Sequence, residues 1–189
     1  MTNANAIDGA VDLSIGFLLM HEANGAIRCG LLVTDAAGVP KEFRATQPAL
    51  RPTSVQRILY GNSLHREIAR LCAMPMIEAL EHTPKWVLVQ SRELLCLDTE
   101  VLPVIVVAGH GEELEVETGH QDDDPVLESK DGSFRPVVLT FAESVTPDHQ
   151  QRLREELAGA VSSGVVDLLE PFSRVGQALE VLDRQAPRG

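Results

Sequence analysis

Two histidines and a run of carboxylates in one acidic segment are the residues best suited to metal chemistry. The segment reads His110-Gly-Glu-Glu113 and, further on, His120-Gln-Asp-Asp-Asp124. Imidazole and carboxylate groups suit Zn²⁺ and Mn²⁺, and the segment directly follows an apolar stretch, where α/β proteins often place their sites. His110, His120 and Asp122 are therefore the candidate metal ligands. Gly111 in the first part and Gly119 just before the second argue against the helix that the common His-Glu metal motifs require, so a solvated acidic loop is the competing interpretation.

A second set of candidates would serve a hydrolase. His21 and Glu22 directly follow a predicted strand and, together with His110, could act as catalytic residues. Their ordinary interpretation is as exposed turn residues. Ser63 lies at a break before a helix, but a nucleophile elbow needs glycine two residues later and this chain has His65 there. We therefore predict that Ser63 is a helix N-cap, and the sequence contains no phosphate loop or cofactor motif, so no cofactor is expected.

Positive charge is concentrated in the segment from Lys41 to Arg70, which contains six basic and two acidic residues. A basic face on an acidic body steers complementary surfaces toward it. The partner that this charge pattern predicts is a protein with an acidic surface, and a second copy of the chain is one option. The alternative is a solvated helix face without a partner. The candidate binding residues are five arginines of this segment: Arg44, Arg51, Arg57, Arg66 and Arg70.

Composition excludes several other classes of partner. The 189 residues carry 28 acidic and 16 basic side chains, a net charge of -12, which repels nucleic acid and anionic membranes. No apolar run reaches the roughly 18 residues that span a bilayer, and the N-terminus lacks the positive charge of a secretory signal. We therefore expect a cytoplasmic protein with no membrane contact. Cys29, Cys72 and Cys96 are far apart, and we expect buried thiols rather than disulfides.

The elements that must position these residues follow from apolar periodicity and turn signals. Residues 1–10 form a predicted flexible tail, and residues 11–189 form one domain with an acidic loop at 110–132. Strands over 14–20, 26–34 and 39–46 make an antiparallel meander, because Asn24-Gly25 favours a type I′ hairpin turn. Thr53-Ser-Val-Gln56 fits a capping box at the start of a helical region that Pro75 should kink or divide.

The second half of the chain alternates strands with helices. Strands are predicted at 86–89, 103–108 and 136–141, a short helix or turn at 91–100, and two C-terminal helices from Thr146 to about Ser162 and over 165–182. The predicted class is thus α/β or α+β. Ten apolar positions are expected to be buried: Phe17, Leu19, Leu32, Leu71, Val87, Val89, Ile105, Val107, Leu139 and Leu157.

The order of elements from residue 14 to residue 109, β-β-β-α-β-α-β with an Asn-Gly hairpin, resembles the ribonuclease H-like fold. That resemblance implies metal-binding carboxylates on the first strand, the long helix and the end of the fourth strand. This chain has Met20-His21-Glu22, Val55-Gln56-Arg57-Ile58 and Val89-Gln90-Ser91 at those places. A neutral Gln90 cannot supply the charge that divalent cations need. An α+β fold of another kind, a meander with flanking helices, remains the alternative.

Taken together, these patterns favour a protein that works by binding rather than by catalysis. We expect a non-catalytic interaction or accessory subunit that uses the basic segment. The alternative, from another class, is a divergent ribonuclease H-like nuclease or metal-dependent hydrolase acting through His21, Glu22, His110 and the acidic loop.

Overall fold

One seven-stranded sheet organises the described residues, which are 13–47, 49–110, 126–128, 135–163 and 167–185 of this computed structural model. The strands are β1 (Ser14–Ala23), β2 (Ala26–Asp35), β3 (Pro40–Ala45), β4 (Trp86–Val89), β5 (Val104–Gly109), β6 (Val126–Leu127) and β7 (Val137–Thr140). The helices are α1 (Ser54–Tyr60), α2 (Leu64–Glu78), α3 (Pro147–Ser163) and α4 (Glu170–Gln185), with 3-10 helices at Gly61–Ser63 and Arg92–Leu97. The strands lie in the order β3-β2-β1-β4-β5-β7-β6.

The first half of the sheet is the predicted meander. Asn24 and Gly25 have φ angles of 52° and 70°, as a type I′ turn requires, and β1 pairs with β2 antiparallel from Ser14 opposite Asp35 to Ala23 opposite Ala26. β1 then pairs with β4 in parallel, and β4 with β5. The α/β class is confirmed, and the elements from β1 to β5 follow one another in the predicted order. Along the described parts of the chain, no helix is long and apolar enough to cross a membrane.

Each face of the sheet has its own core. The core between one face and the helices α3 and α4 includes Phe17, Ile105 and Leu157 of α3. The core between the other face and α2 includes Val87 and Val89. Of the ten apolar residues predicted to be buried, Leu19 is half-buried. Eight others are 5% exposed or less: Phe17, Leu32, Val87, Val89, Ile105, Val107, Leu139 and Leu157.

The prediction for Leu71 is wrong, because this side chain is 71% exposed. The covered stripe of α2 runs through Ile68, Ala69, Cys72, Ala73 and Met76. At about 100° per residue, the centre of that stripe lies about 130° around the helix from Leu71. Two of the five residues in the stripe are alanines, which carry little apolar signal in the sequence.

Other local predictions are corrected by the structure. Helix α2 continues through Pro75 to Glu78, so Pro75 does not divide it. Ser63 is the N-cap residue of α2, as predicted, but its hydroxyl donates to the Tyr60 carbonyl (2.7 Å) and makes no capping hydrogen bond to that helix. Strand β6 lies within the loop expected at 110–132, because Val126 and Leu127 pair with β7. Most of that loop, and the whole tail at 1–10, lie outside the described residues.

Glycine at position 30 of β2 allows α4 to lie close to the sheet. A Cβ at Gly30 would lie 2.9 Å from Leu179 Cδ2 and 3.0 Å from Val175 Cγ1, both on α4. Further along the same helix, Asp183 accepts a hydrogen bond from Arg28 of β2 at 2.9 Å. The last turns of α4 are therefore fixed over the hairpin end of β1 and β2.

Candidate functional site

Helix α1 presents an apolar surface that nothing in the described chain covers. None of its seven residues is buried, and Val55, Ile58 and Leu59 are 63%, 79% and 76% exposed. These three residues, which we call the α1 face, occupy positions i, i+3 and i+4 and so lie within about 100° of one side of the helix. A stripe of this kind ordinarily faces a core, yet here it faces outward.

The outward direction of the α1 face has a local cause. Arg57 lies on the other side of α1 from Val55 and Leu59, and its Nη2 contacts Glu22 Oε1 at 2.9 Å and the Gly25 carbonyl at 3.0 Å. These contacts hold the polar side of the helix against the β1–β2 hairpin. The predicted capping box is confirmed at the helix start: Thr53 accepts from the Gln56 amide, and the Gln56 side chain accepts from the Thr53 amide.

The five candidate arginines differ in how far their charge is already compensated. Arg44 on β3 pairs with Glu42 (2.6 Å) and Glu81 (3.4 Å), Arg57 pairs with Glu22, and Arg70 pairs with Glu67. Arg51 and Arg66 are exposed and form no ion pair with any described residue. They flank α1 along the chain, one just before its N-cap and one in the first turn of α2.

Glu22 also belongs to a small cluster of titratable side chains. His65 Nε2 lies 3.3 Å from Glu22 Oε2, and His65 Nδ1 lies 3.2 Å from Glu93 Oε2. A neutral imidazole donates to only one of the two carboxylates, whereas the imidazolium donates to both. Burial by itself raises the pKa of Glu22, but hydrogen bonds from His65 and Arg57 and their positive charge outweigh it, so the pKa of this carboxyl is lowered. We call these three residues the Glu22 cluster.

The Glu22 cluster lies where the topology of the sheet changes direction. It borders a cavity of about 330 Å³ that Gln90 and Ser91 also line. Glu22 stands at the end of β1 and Gln90 directly follows β4, the parallel neighbour of β1. After β1 the chain continues to β2, toward one edge of the sheet, and after β4 it continues to β5, toward the other edge. Crevices at such places are common ligand sites in α/β proteins.

The other candidates for catalysis and metal binding do not join this cluster. His21 lies on the opposite face of β1 from Glu22, because neighbouring residues of a strand alternate, and it is paired across the sheet with Arg28. His110 is exposed after β5 and its amide donates to the Pro136 carbonyl. His120 and Asp122 lie outside the described residues. Among the residues that are described, no group of three or more His, Cys, Asp or Glu side chains could hold a metal ion.

Several features of the site have no clear signal in the sequence. His65 and Glu93 are separated from Glu22 by dozens of residues and meet it only through the folding of α2 and the segment after β4. The α1 face does have a signal, the i, i+3, i+4 spacing, but that spacing is also the pattern of a buried helix. What reverses it is Arg57, whose partner Glu22 is remote in sequence.

Comparison with known proteins finds structural neighbours among the solved structures. No family model matches the chain, and no curated protein sequence matches it. Among solved structures, the chain is similar to Endonuclease V from Bacillus subtilis, with a TM-score of 0.40 and 14% identity over 75% of this chain and 69% of that one. It is also similar to Marinitoga piezophila Argonaute in complex with 5′ OH guide RNA, with a TM-score of 0.35 and 8% identity over 77% of this chain and 25% of that one. At these TM-scores neither likeness identifies a function for this chain.

Proposed function

We propose that this protein is a binding module that docks a protein partner through the α1 face. The observation that carries the proposal is the exposure of Val55, Ile58 and Leu59 on a helix without one buried residue. The partner we expect has an apolar patch bordered by carboxylates, because the uncompensated charges nearest along the chain are those of Arg51 and Arg66. A second copy of this chain is the other occupant that the experiment must distinguish.

The apolar area is large enough to anchor an interface. Full burial of an aliphatic side chain contributes about 1.5–3 kcal/mol. Scaled by exposures of 63%, 79% and 76%, the α1 face would contribute about 3–6 kcal/mol in total on docking. Association itself costs several kcal/mol of lost freedom, so the α1 face alone does not make a tight complex and further contacts must surround it.

The charges around α1 would act mainly on orientation and on the rate of encounter. Exposed charges steer a complementary surface at low salt and are screened over about 10 Å at 0.1 M. Arg44, Arg57 and Arg70 are already paired with acidic residues of the same chain. The docking charge we propose is therefore carried by Arg51 and Arg66 rather than by all five arginines.

The test compares three forms of the whole chain as bait for partner capture: the parent, Ile58→Asp with Leu59→Asp, and the control Val101→Asp. Val101 is 92% exposed and lies just before β5. Because β1, β4 and β5 are parallel, this position is at the opposite end of the strands from the end of β1. Each protein held by the parent is then purified, and its dissociation constant is measured by calorimetry at 0.1 and 0.5 M salt. We expect the double variant to weaken binding by at least about 100-fold, because two carboxylates would be buried against apolar surface, and the control to bind like the parent.

The charge proposal has its own arm. Arg51→Glu with Arg66→Glu should weaken binding at 0.1 M salt and much less at 0.5 M. Sedimentation velocity of the parent alone over a range of concentrations separates self-association from a foreign partner. The proposal fails if no purified partner distinguishes the α1 variant from the Val101 control. It also fails if the only complex found is a self-assembly that the α1 variant leaves intact.

A second candidate function is a divergent ribonuclease H-like hydrolase, and the Glu22 cluster favours it. A carboxylate, an imidazole and a second carboxylate lie beside a cavity at the ends of two parallel strands, and this combination can relay a proton. Metal analysis of untagged protein, followed by melting with and without Mn²⁺ or Zn²⁺, tests it. Stoichiometric metal that raises the melting temperature would support a hydrolase. His65→Ala should leave both effects in place, because no group of described side chains, the Glu22 cluster included, could hold a metal ion. Absence of bound metal together with unchanged melting would count against it.

A further inference from the structure

A cavity of about 580 Å³ opens between the β1–β2 hairpin, the segment before α1 and the last turn of α4. This volume falls within the range of about 300–1,000 Å³ that small-molecule sites occupy. It contains no residue of the α1 face or of the Glu22 cluster, but Arg51, one of the two docking charges proposed above, lines it; we call it the Arg28 cavity. Apart from alanines and one leucine, its lining is polar: Asn24, Arg28, Gln47, Arg51, Asp183 and Gln185.

Arg28 gives the cavity a buried, oriented cation. Its side chain is only 3% exposed, and its guanidinium donates from Nε to Asp183 Oδ1 at 2.9 Å and from Nη1 to the Thr46 carbonyl. A buried guanidinium is costly unless it is paired and hydrogen-bonded. It has five N–H donors, and within the described chain Nη2 makes no hydrogen bond. Two contacts thus fix the plane of the guanidinium while part of its donor capacity remains unused.

The charges of the lining do not balance. Among the described lining residues, two guanidinium groups, those of Arg28 and Arg51, accompany one carboxylate, that of Asp183. Asp183 already accepts from Arg28, and Arg51 has no ion pair among the described residues. The described part of the lining therefore has an excess of one positive charge in a chain whose net charge is -12. Planar guanidinium groups match the two oxygens of a carboxylate or phosphate.

The remaining polar groups suit the body of an organic ligand. Asn24, Gln47 and Gln185 carry neutral amides, each of which can both donate and accept. The alanines leave space where larger side chains would fill the cavity. We propose that the Arg28 cavity binds a small organic anion, with its carboxylate or phosphate group on Arg28 and Arg51 and its polar body against these amides.

Two probes test the proposal and separate the two anionic groups. Inorganic phosphate and succinate are titrated into the whole chain, with sodium chloride at equal ionic strength as the reference, and melting temperature and calorimetric heat are followed. We expect a saturable rise in melting temperature with at least one probe. Arg51→Ala, a change at an exposed residue, should raise the dissociation constant at least about tenfold.

Two further variants keep the outcome decisive. Arg28→Lys retains the charge but loses the planar fork, so in a variant whose circular dichroism matches the parent we expect binding at least about tenfold weaker. Arg152→Ala removes an exposed arginine of α3, outside the cavity, and should bind the probes like the parent. The proposal is overturned if neither probe gives a saturable effect. It is equally overturned if Arg51→Ala and Arg152→Ala respond alike, because that result would indicate nonspecific ion effects.

Discussion

Truncating the apolar side chains of α1 should leave the stability of the fold almost unchanged. The perturbation is the double variant Ile58→Ala with Leu59→Ala. In a core, truncation of a large aliphatic residue to alanine costs about 2–5 kcal/mol of unfolding free energy. On α1 we expect a very different result, because both side chains face outward.

The expected magnitude follows from the exposure of the two residues. Ile58 and Leu59 are 79% and 76% exposed, so only about a fifth and a quarter of them are buried. With about 1.5–3 kcal/mol for full burial of each side chain, the lost burial costs about 0.7–1.4 kcal/mol in total. Alanine is the better helix former and returns about half a kcal/mol. The net loss of unfolding free energy should therefore lie between about 0 and 1 kcal/mol.

Urea denaturation followed by circular dichroism measures the difference, with the denaturant slope checked for constancy. The matched control is Ile105→Ala, because Ile105 is fully buried on β5 between β4 and β7. That control should lose about 2–5 kcal/mol. A loss of less than about 1 kcal/mol at Ile105 would contradict the central position of β5 in the sheet.

The result that would refute the reasoning about α1 is a loss above about 2 kcal/mol in the double variant. Such a loss would mean that another part of the chain covers Ile58 and Leu59 in the folded protein. The α1 face would then be part of a core, and the docking proposal would lose the observation that carries it. A small loss leaves a stable protein in which the same two positions can be tested for binding.

Two further predictions concern the rest of the fold. Burial by itself raises the pKa of Glu42, but hydrogen bonds from the His82 amide, the Arg44 guanidinium and the Glu81 amide outweigh it and bring the pKa to about 2, below its ordinary value of 4.5. Glu42 therefore stabilises the fold above about pH 4.5 and loses this effect as the pH falls through about 2. Glu42→Gln should lower the free energy of unfolding by about 1–2 kcal/mol at pH 7, and in urea denaturation the difference from the parent should shrink below pH 4.5. A difference that is independent of pH would contradict this reasoning. Gly30→Ala should lower the free energy of unfolding by about 1–3 kcal/mol, because its Cβ would lie 2.9 Å from Leu179. Gly159 is on α3, and a Cβ there would meet no described atom outside its own helix within 4 Å, so Gly159→Ala should be neutral or stabilising by up to about 1 kcal/mol. Equal effects of the two substitutions would exclude close packing of α4 as the cause.

Local sequence signals predicted the meander and the start of α1 well because their causes are local. Asn24-Gly25 fixes the first hairpin through its positive φ angles, and Thr53 with Gln56 fixes the start of α1. Strand β4 was predicted with its observed bounds, since four consecutive buried residues form a continuous apolar run. In each case the residues that decide the structure are within a few positions of one another.

The errors have causes that act across long separations. The burial of α2 depends on which side the sheet approaches, and small alanines rather than Leu71 fill that side. Strand β6 exists through its pairing with Val137 and Val138 of β7, and two residues are too few for a periodic signal. The Glu22 cluster and the Arg28 cavity likewise assemble residues from distant elements, so neither has a motif.

Helix α1 is held in place by polar contacts rather than by a core. A seven-residue helix has little stability in water by itself, and short helices are normally stabilised by burial of an apolar face. Here the capping box at Thr53 and the contacts of Arg57 with Glu22 and Gly25 supply the attachment. Polar residues with good helix propensity at 55, 58 and 59 would fit this arrangement equally well and would avoid an exposed apolar patch. Packing among the described residues therefore does not explain Val55, Ile58 and Leu59, whereas burial of these side chains against the partner proposed above would explain them.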